Sequence, residues 1–415
     1  MNILYLNHYA GSPLHGMEYR PYYLAKEWVK QGHQVCVVAA SFSHLRLHQP
    51  KTNDKNVVKK TYEKIDGIDY IWYPTPSYIE NGFGRVKNIL CFLKQVWLDA
   101  RNLVKKYQPD VVIASSTYPM DIWVAKRIAK IAGAKLVFEI HDLWPLSPIE
   151  LGGMSPKHPF IQWCQWAENT AYKASDVVVS ILPNVHEHTK EHGLDLEKLV
   201  IIPNGIVEED WQAENIQPLD EGELAKFLLD QKAQGKVIVG YAGAHGIPNA
   251  LEYLLDAAKE LQENKNIVIV LIGSGLEKEK LIDKKNKENI DNVYFFDGIP
   301  KLQIPSFLAA IDIAYIGFQK QSLYRFGVSP NKIMDYMFSA KPILCSLEAA
   351  NDWVGDTNCG ITVRPADEYE IAQGILALSQ LSDEERTAMG QNGRDFILNN
   401  QTYSILSDKF LKAIS

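Results

Sequence analysis

The stretch Arg325–Ser346, RFGVSPNKIMDYMFSAKPILCS, decides how the chain is read. Ser329 is placed to cap a helix, and Pro330 suits its first turn, where a backbone N–H would be unpaired anyway. Ile333 and Met337 stand one turn apart and form a stripe fit for burial. Ala340-Lys341-Pro342 ends the helix, and Ile343-Leu344-Cys345 reads as a buried strand. Lys332 is the oddity. The first turn favours an acid, and a capping box would place Glu or Gln there. Arg325 lies just upstream, Gly327 permits close backbone approach, and the Ser329-Pro330-Asn331 turn opens onto free N–H groups. Together these suit a docked diphosphate. Asp335 lies roughly 7 Å further along the axis, at ~1.5 Å per residue, within reach of ribose hydroxyls. A capped helix with a snorkelling lysine fits the same letters.

Outward from this element, 415 residues exceed one typical core and imply two domains. With 46% hydrophobic and 22% charged residues the chain is globular, not disordered. No apolar run reaches the ~18 residues of a membrane span. The opening MNILYLNHYAG reads as a first strand, without the basic start and cleavage site of a leader. Five scattered cysteines without a CxxC pair argue for reduced thiols in a cytosolic protein and against zinc. Net charge is −7, yet the chain to Gly205 carries +4 and the remainder −11, so the first half is expected to face something anionic.

Strands at Asn2–His8, Gln34–Ala40 and Gly67–Tyr73 enclose a helix at Glu18–Gln31, entered through a loop with Gly11 and Gly16. A glycine at that entry can bring backbone N–H groups to a phosphate or simply make a turn. Residues 41–66 read as a lysine-rich loop. Gly84–Tyr107 repeats apolar residues at helical spacing. Between Ser43 and Lys106 stand 12 basic and 6 acidic residues, so this helix either packs with a solvated basic face or rests on anionic lipid. Strands at Asp110–Ala114, Lys135–Ile140, Val177–Ile181 and Val200–Ile202 follow, separated by helices. This is α/β alternation, the pattern of a parallel sheet covered on both faces.

Ligands of such sheets bind beyond the strands' carboxyl ends. His141-Asp142 and Pro203-Asn204-Gly205 occupy two of these tips. His186, His188 and His192 read as an exposed helix face, with a metal site as the alternative. Residues 206–222 read as a linker between a domain at 1–205 and a second at 223–395, with 396–415 crossing back. In the second domain strands at Val237–Ala242, Ile267–Ile272, Val293–Phe296 and Ile313–Gly317 lead into the opening element and then Gly360–Arg364. Gly240, Gly243, Gly273 and Gly275 mark strand ends where backbone approaches a ligand or a neighbouring element.

IPNGI, GYAG…LEYLLDAA, IGSG…EKEKL, FDGIP and FGVSPNKIMDYMFSAKPIL, in that order, resemble the family 4 glycosyltransferases. The resemblance spans almost the whole chain and is most specific at PNKIMDYMFSAKPIL. It looks like the bacterial surface-polysaccharide branch, including transferases of N-acetylated deoxysugars such as N-acetylfucosamine. It implies two facing Rossmann-like domains (the GT-B fold), a nucleotide-sugar donor in the cleft and transfer with retention.

By position, Asp335 matches the second acid of the family's Glu-x7-Glu motif, which holds the ribose. The first acid falls on Gly327 and is missing. The family's diphosphate-gripping Arg and Lys are replaced by Ala244-His245-Gly246-Ile247-Pro248-Asn249, so Arg325 and Lys332 are expected to take over that charge. His141 matches the active-site histidine, with Asp142 beside it as the second catalytic candidate. The donor-binding expectation is Gly16, Asn204, Gly243, His245, Gly273, Gly275, Arg325, Ser329, Pro330, Asn331, Lys332 and Asp335. No Asp-x-Asp occurs, which fits catalysis without a metal or cofactor.

The resemblance implies a UDP-linked N-acetylated sugar as donor and a lipid-diphosphate-linked saccharide as acceptor, in O-antigen or capsule synthesis. The expected location is cytoplasmic, at the inner face of the cell membrane, with the basic region 44–106 touching anionic lipid; no nucleic acid is expected. A nucleotide-sugar 2-epimerase of the same fold and a non-catalytic nucleotide-sugar-binding subunit are the alternatives.

Overall fold

The structure is a computed structural model that describes residues 1–16, 18–44, 46–50, 59–79 and 82–415. The chain forms two compact units, Met1–Pro203 with Tyr403–Ser415, and Asn204–Thr402.

The first unit holds strands β1 (Asn2–Leu6), β2 (Gln34–Ala40), β3 (Thr61–Ile65), β4 (Ile68–Tyr73), β5 (Val111–Ala114), β6 (Lys135–Ile140), β7 (Val177–Ser180) and β8 (Leu199–Ile201). They form one sheet in the order β3-β4-β2-β1-β5-β6-β7-β8, parallel except for β3. The strand order reverses between β1 and β5, which makes their carboxyl ends the switch point where such sheets take ligands. Part of the lysine-rich stretch is thus not a loop: Thr61–Ile65 pairs antiparallel with β4. Its alternating exposure, with Tyr62 and Lys64 outward, is that of an edge strand, which hid it in a polar sequence. Lys51 and Lys55 lie outside the described residues.

The second unit adds β9 (Val237–Ala242), β10 (Ile267–Ile272), β11 (Val293–Phe296), β12 (Ile313–Gly317), β13 (Ile343–Ser346) and β14 (Gly360–Val363). Their order, β11-β10-β9-β12-β13-β14, is wholly parallel and reverses between β9 and β12. β10, IVIVLI, shows why a continuous apolar run is needed. Val268, Val270 and Ile272 join one core cluster, while Ile267, Ile269 and Leu271 join the other.

Two expected boundaries move. Residues 206–222 are not a free linker. Ile206 is buried and its N–H donates to the Gln401 carbonyl, Trp211 lies 5.2 Å from Phe338, and the Gln217 N–H reaches the Leu302 carbonyl. Acidic composition concealed these anchors. The helix Asp383–Asn400 also stays with the second unit, where Ile397 is in the core. The chain re-enters the first unit at Tyr403, where the helix Tyr403–Ile414 packs Phe410 5.1 Å from Trp28 of the helix Arg20–Lys30.

Candidate functional site

In the second unit the decisive helix runs Asn331–Phe338, and its apolar face buries Ile333, Met334, Met337 and Phe338. Its N-terminus carries no side-chain cap, and Pro330 precedes the first turn rather than standing in it. Ser329 does not cap. Its hydroxyl accepts the Asn204 N–H at 2.8 Å, and its carbonyl accepts the Asn204 Nδ2 at 2.7 Å. Asn351 clamps Val328 in the same two-sided way. The segment before the helix is therefore fixed by two asparagines, and Asn204 works there. Asn331 is exposed.

Lys332 reaches the switch point. Its Nζ donates to the Tyr241 hydroxyl at 2.7 Å and to Asn249 Oδ1 at 3.1 Å, and lies 4.0 Å from the Tyr241 ring centre. Among the described residues it has no carboxylate partner. Burial lowers its pKa to about 7, an effect only partly opposed by Asp335. Asp335 shifts the other way, up to about 7, chiefly through burial. Its carboxyl makes no hydrogen bond among the described residues, near the ion pair Lys301–Asp210. A lysine facing neutral oxygens and a carboxyl without donors offer what a diphosphate and a diol would use. Arg325 does not share this spot in the way expected: it donates to the Ser322 carbonyl and lies 4.4 Å over the Phe326 ring.

The glycines divide. A Cβ on Gly243 (φ +153°) would lie 2.7 Å from the Lys332 ammonium, so this glycine leaves the lysine its space. A Cβ on Gly273 would meet the Gly243 carbonyl at 1.9 Å, and one on Gly275 the His245 carbonyl at 2.3 Å. These two glycines let neighbouring loops touch through backbone. His245 is fully buried, with both ring nitrogens unpartnered among the described residues. Burial and the charges of Lys278 and Lys332 lower its pKa to about 4, so the ring is neutral.

In the first unit His141 follows β6. Its Nε2 lies 2.9 Å from Ser115 Oγ and 3.3 Å from Glu139 Oε2, and its Nδ1 lies 3.9 Å from Glu18. Glu139, wholly buried, also accepts from the Tyr5 hydroxyl (2.6 Å), the Ser115 hydroxyl (2.6 Å) and Arg20 Nε (2.9 Å). Burial opposes ionisation of Glu139, but Arg20 and His141 outweigh it and hold the carboxyl far below its usual range. Burial likewise disfavours charge on His141, yet Glu139 prevails and raises its pKa. Arg20 ties this network to the chain beyond β8 by donating to the Ile202 and Pro203 carbonyls. Sequence reading missed Arg20, Ser115 and Glu139. The available signal was a glutamate inside the apolar run KLVFEI, since a buried charge requires partners. Asp142 is exposed beside His141.

Gly16 (φ +91°) closes a tight turn with Ser12, four residues before the helix Arg20–Lys30 begins, so it is not at the helix entry. His188 and His192 are not an exposed face. His188 Nε2 lies 2.8 Å from the buried Glu168, and Gln165 bridges Glu168 to His192 Nδ1. The three ligand-type groups sit within 4.8 Å of one another, already joined by hydrogen bonds.

Two parallel-sheet α/β units, each with a polar site beside its switch point, define the GT-B fold. Solved structures agree over the whole length. Sucrose-phosphate synthase from Thermosynechococcus elongatus has a TM-score of 0.70 at 15% identity, covering 99% of this chain and 97% of that one. Anabaena HepE in complex with UDP and glucose has a TM-score of 0.66 at 17% identity, covering 99% and 98%. WaaG, a glycosyltransferase involved in lipopolysaccharide biosynthesis, has a TM-score of 0.65 at 14% identity, covering 100% and 99%. The chain belongs to the glycosyltransferases: residues 14–210 match the model for Glycosyltransferase Family 4, and residues 236–380 that for Glycosyl transferases group 1. No curated protein sequence matches the chain. No helix among the described residues is long and apolar enough to cross a membrane.

Proposed function

We propose that this glycosyltransferase moves a sugar from a UDP-linked N-acetylated sugar, with retention, onto a lipid-diphosphate-linked saccharide of a bacterial surface polysaccharide. The observation that carries the donor half is Lys332, a half-buried lysine at the β9–β12 switch point whose hydrogen bonds among the described residues go to neutral oxygens. UDP and glucose bound to the similarly folded HepE support a UDP-sugar donor. WaaG's part in lipopolysaccharide biosynthesis supports the acceptor class.

In the reaction the anomeric C1–O bond to the β-phosphate breaks and its electron pair leaves with UDP. The acceptor oxygen bonds C1 from the same face, and its proton passes to the departing phosphate. Lys332 and the uncapped helix N-terminus stabilise the developing charge, without a metal or cofactor. Asp335 accepts from the ribose hydroxyls. His141, whose pKa Glu139 raises against the effect of burial, donates to the donor sugar. A thermal-shift screen of UDP-, GDP- and dTDP-sugars tests the donor, since a ligand of the folded state raises the midpoint. Stabilisation by UDP-sugars above the others is expected; none by any nucleotide sugar would overturn the reading. Release of an epimerised nucleotide sugar without acceptor would favour the epimerase instead.

A further inference from the structure

Part of the basic region 44–106 is engaged within the first unit. Lys60 pairs with Asp99, Lys64 lies 3.8 Å from Asp69, and Lys106 lies over the Tyr62 ring at 4.1 Å. One surface of the same unit, which takes Leu90, Leu93, Lys94 and Trp97 from that region, carries cations without an ion pair among the described residues. The helices Phe83–Tyr107, Asp121–Ala132 and Pro159–Ala174 enclose a groove of ≈ 870 Å³. Each presents one stripe to it at three- and four-residue spacing. Trp97, Trp123, Trp163 and Trp166 form its walls, with Trp123 centred 5.8 Å from Trp163 and 4.8 Å from Trp166. Leu93, Met120 and Val124 are the buried floor. Trp166 is 64% exposed and Trp97 41%.

Lys94, Lys126, Arg127 and Lys130 complete the lining, which contains no carboxylate. Arg127 lies 4.6 Å over the Trp97 ring, and its Nε is buried without a hydrogen-bond partner among the described residues. Indoles prefer the headgroup level of a bilayer, and cations beside them meet phosphates there. A second copy of the chain fits badly, because a symmetric pairing would bring two sets of four cations together.

We propose that this tryptophan-walled, cation-rimmed groove is where the protein sits on an anionic lipid bilayer. The inference rests on the reading of a lipid-linked acceptor and names the surface that reaches it.

The test is co-sedimentation with vesicles of phosphatidylglycerol and phosphatidylcholine, or phosphatidylcholine alone. The wild type should bind the anionic vesicles and release them as salt rises. At about a fivefold effect per cation, Lys126→Ala/Lys130→Ala should lower partitioning roughly thirtyfold. Trp97→Ser/Trp166→Ser should lower it at least roughly tenfold and reduce quenching of tryptophan fluorescence by brominated acyl chains. Lys126 and Lys130 are both exposed, so the lysine variant stands as the test if the tryptophan variant does not fold. Equal binding to neutral vesicles, undiminished binding by the lysine variant, or lipid-free dimers that the variants abolish would overturn the proposal. UDP affinity, measured by calorimetry, should be unchanged in both variants. Vesicle binding without any UDP binding in the wild type would sink the transferase reading while leaving the groove's role intact.

Discussion

If Lys332 awaits an anion, docking a nucleoside diphosphate must return its proton. With a pKa of about 7 in the empty protein, roughly one-tenth of Lys332 is charged at pH 8. A diphosphate on the Nζ would restore the ordinary pKa near 10.4, so binding should take up roughly 0.9 proton at pH 8, whereas at pH 6 Lys332 itself would take up only about 0.1. A terminal phosphate loses its second proton near pH 6, so UDP itself contributes little at pH 8. Calorimetry of UDP binding in buffers of different ionisation enthalpy reads this number directly. Lys332→Arg keeps its charge at every pH and should abolish the uptake while still binding. Lys332→Met should weaken UDP roughly ten- to a hundredfold, the worth of about 1.5–3 kcal/mol for a charged hydrogen bond, and uridine far less. No uptake by the wild type at pH 8, or full uptake by Lys332→Arg, would refute the reasoning.

Three further outcomes follow from the same geometry. Asp335, raised to about 7, binds more protons folded than unfolded between its ordinary value and pH 7, so its contribution to stability falls as pH rises through that window. Asp335→Asn should therefore gain stability relative to the wild type more at pH 8.5 than at pH 5 in urea titrations, and should bind both UDP and uridine more weakly; equal gains at the two pH values would count against this. Glu139, whose carboxyl is depressed, contributes stability above its ordinary pKa that is lost as pH falls through the folded value. Glu139→Gln should destabilise by about 3–5 kcal/mol at neutral pH and drop the His141 pKa, which NMR titration of the ring would show, and an unmoved ring would mean another group sets it. Gly275→Ala, with its Cβ 2.3 Å from the His245 carbonyl, should lower stability by at least about 2 kcal/mol in the same urea titrations.

The fold was legible because its signal is periodic. Apolar runs such as IVIVLI and KLVFEI mark strands buried on both faces, and four strands of the second unit, at Val237, Ile267, Val293 and Ile313, stand where the runs place them. The edge strand Thr61–Ile65 escaped because only one of its five residues is buried. In the site, Lys332 was legible as a cation in the wrong turn of a helix, a conflict visible along the chain. The roles of Ser329 and Asn204 were not: their hydrogen bonds span 125 residues, and no local rule pairs them. Glu139 was hidden for the same reason, since its donors come from residues 5, 20, 115 and 141.

The charges of Glu139 and Lys332 have opposite local solutions, and the difference separates a scaffold from a binding group. Glu139 has polar contacts from four side chains, so its charge is satisfied by the protein and serves to orient His141 and raise its pKa. Lys332 receives a hydroxyl and an amide oxygen, both neutral, and its pKa falls because they do not replace the water it lost. A lysine kept for packing alone would gain from an acid beside it. No carboxylate among the described residues forms an ion pair or hydrogen bond with Lys332. Such a site discriminates by the charge that arrives. A diphosphate fills the electrostatic deficit, a monophosphate fills part of it, and a nucleoside none. The order UDP, then UMP, then uridine is therefore the affinity series that this geometry requires, and its steepness should collapse in Lys332→Met.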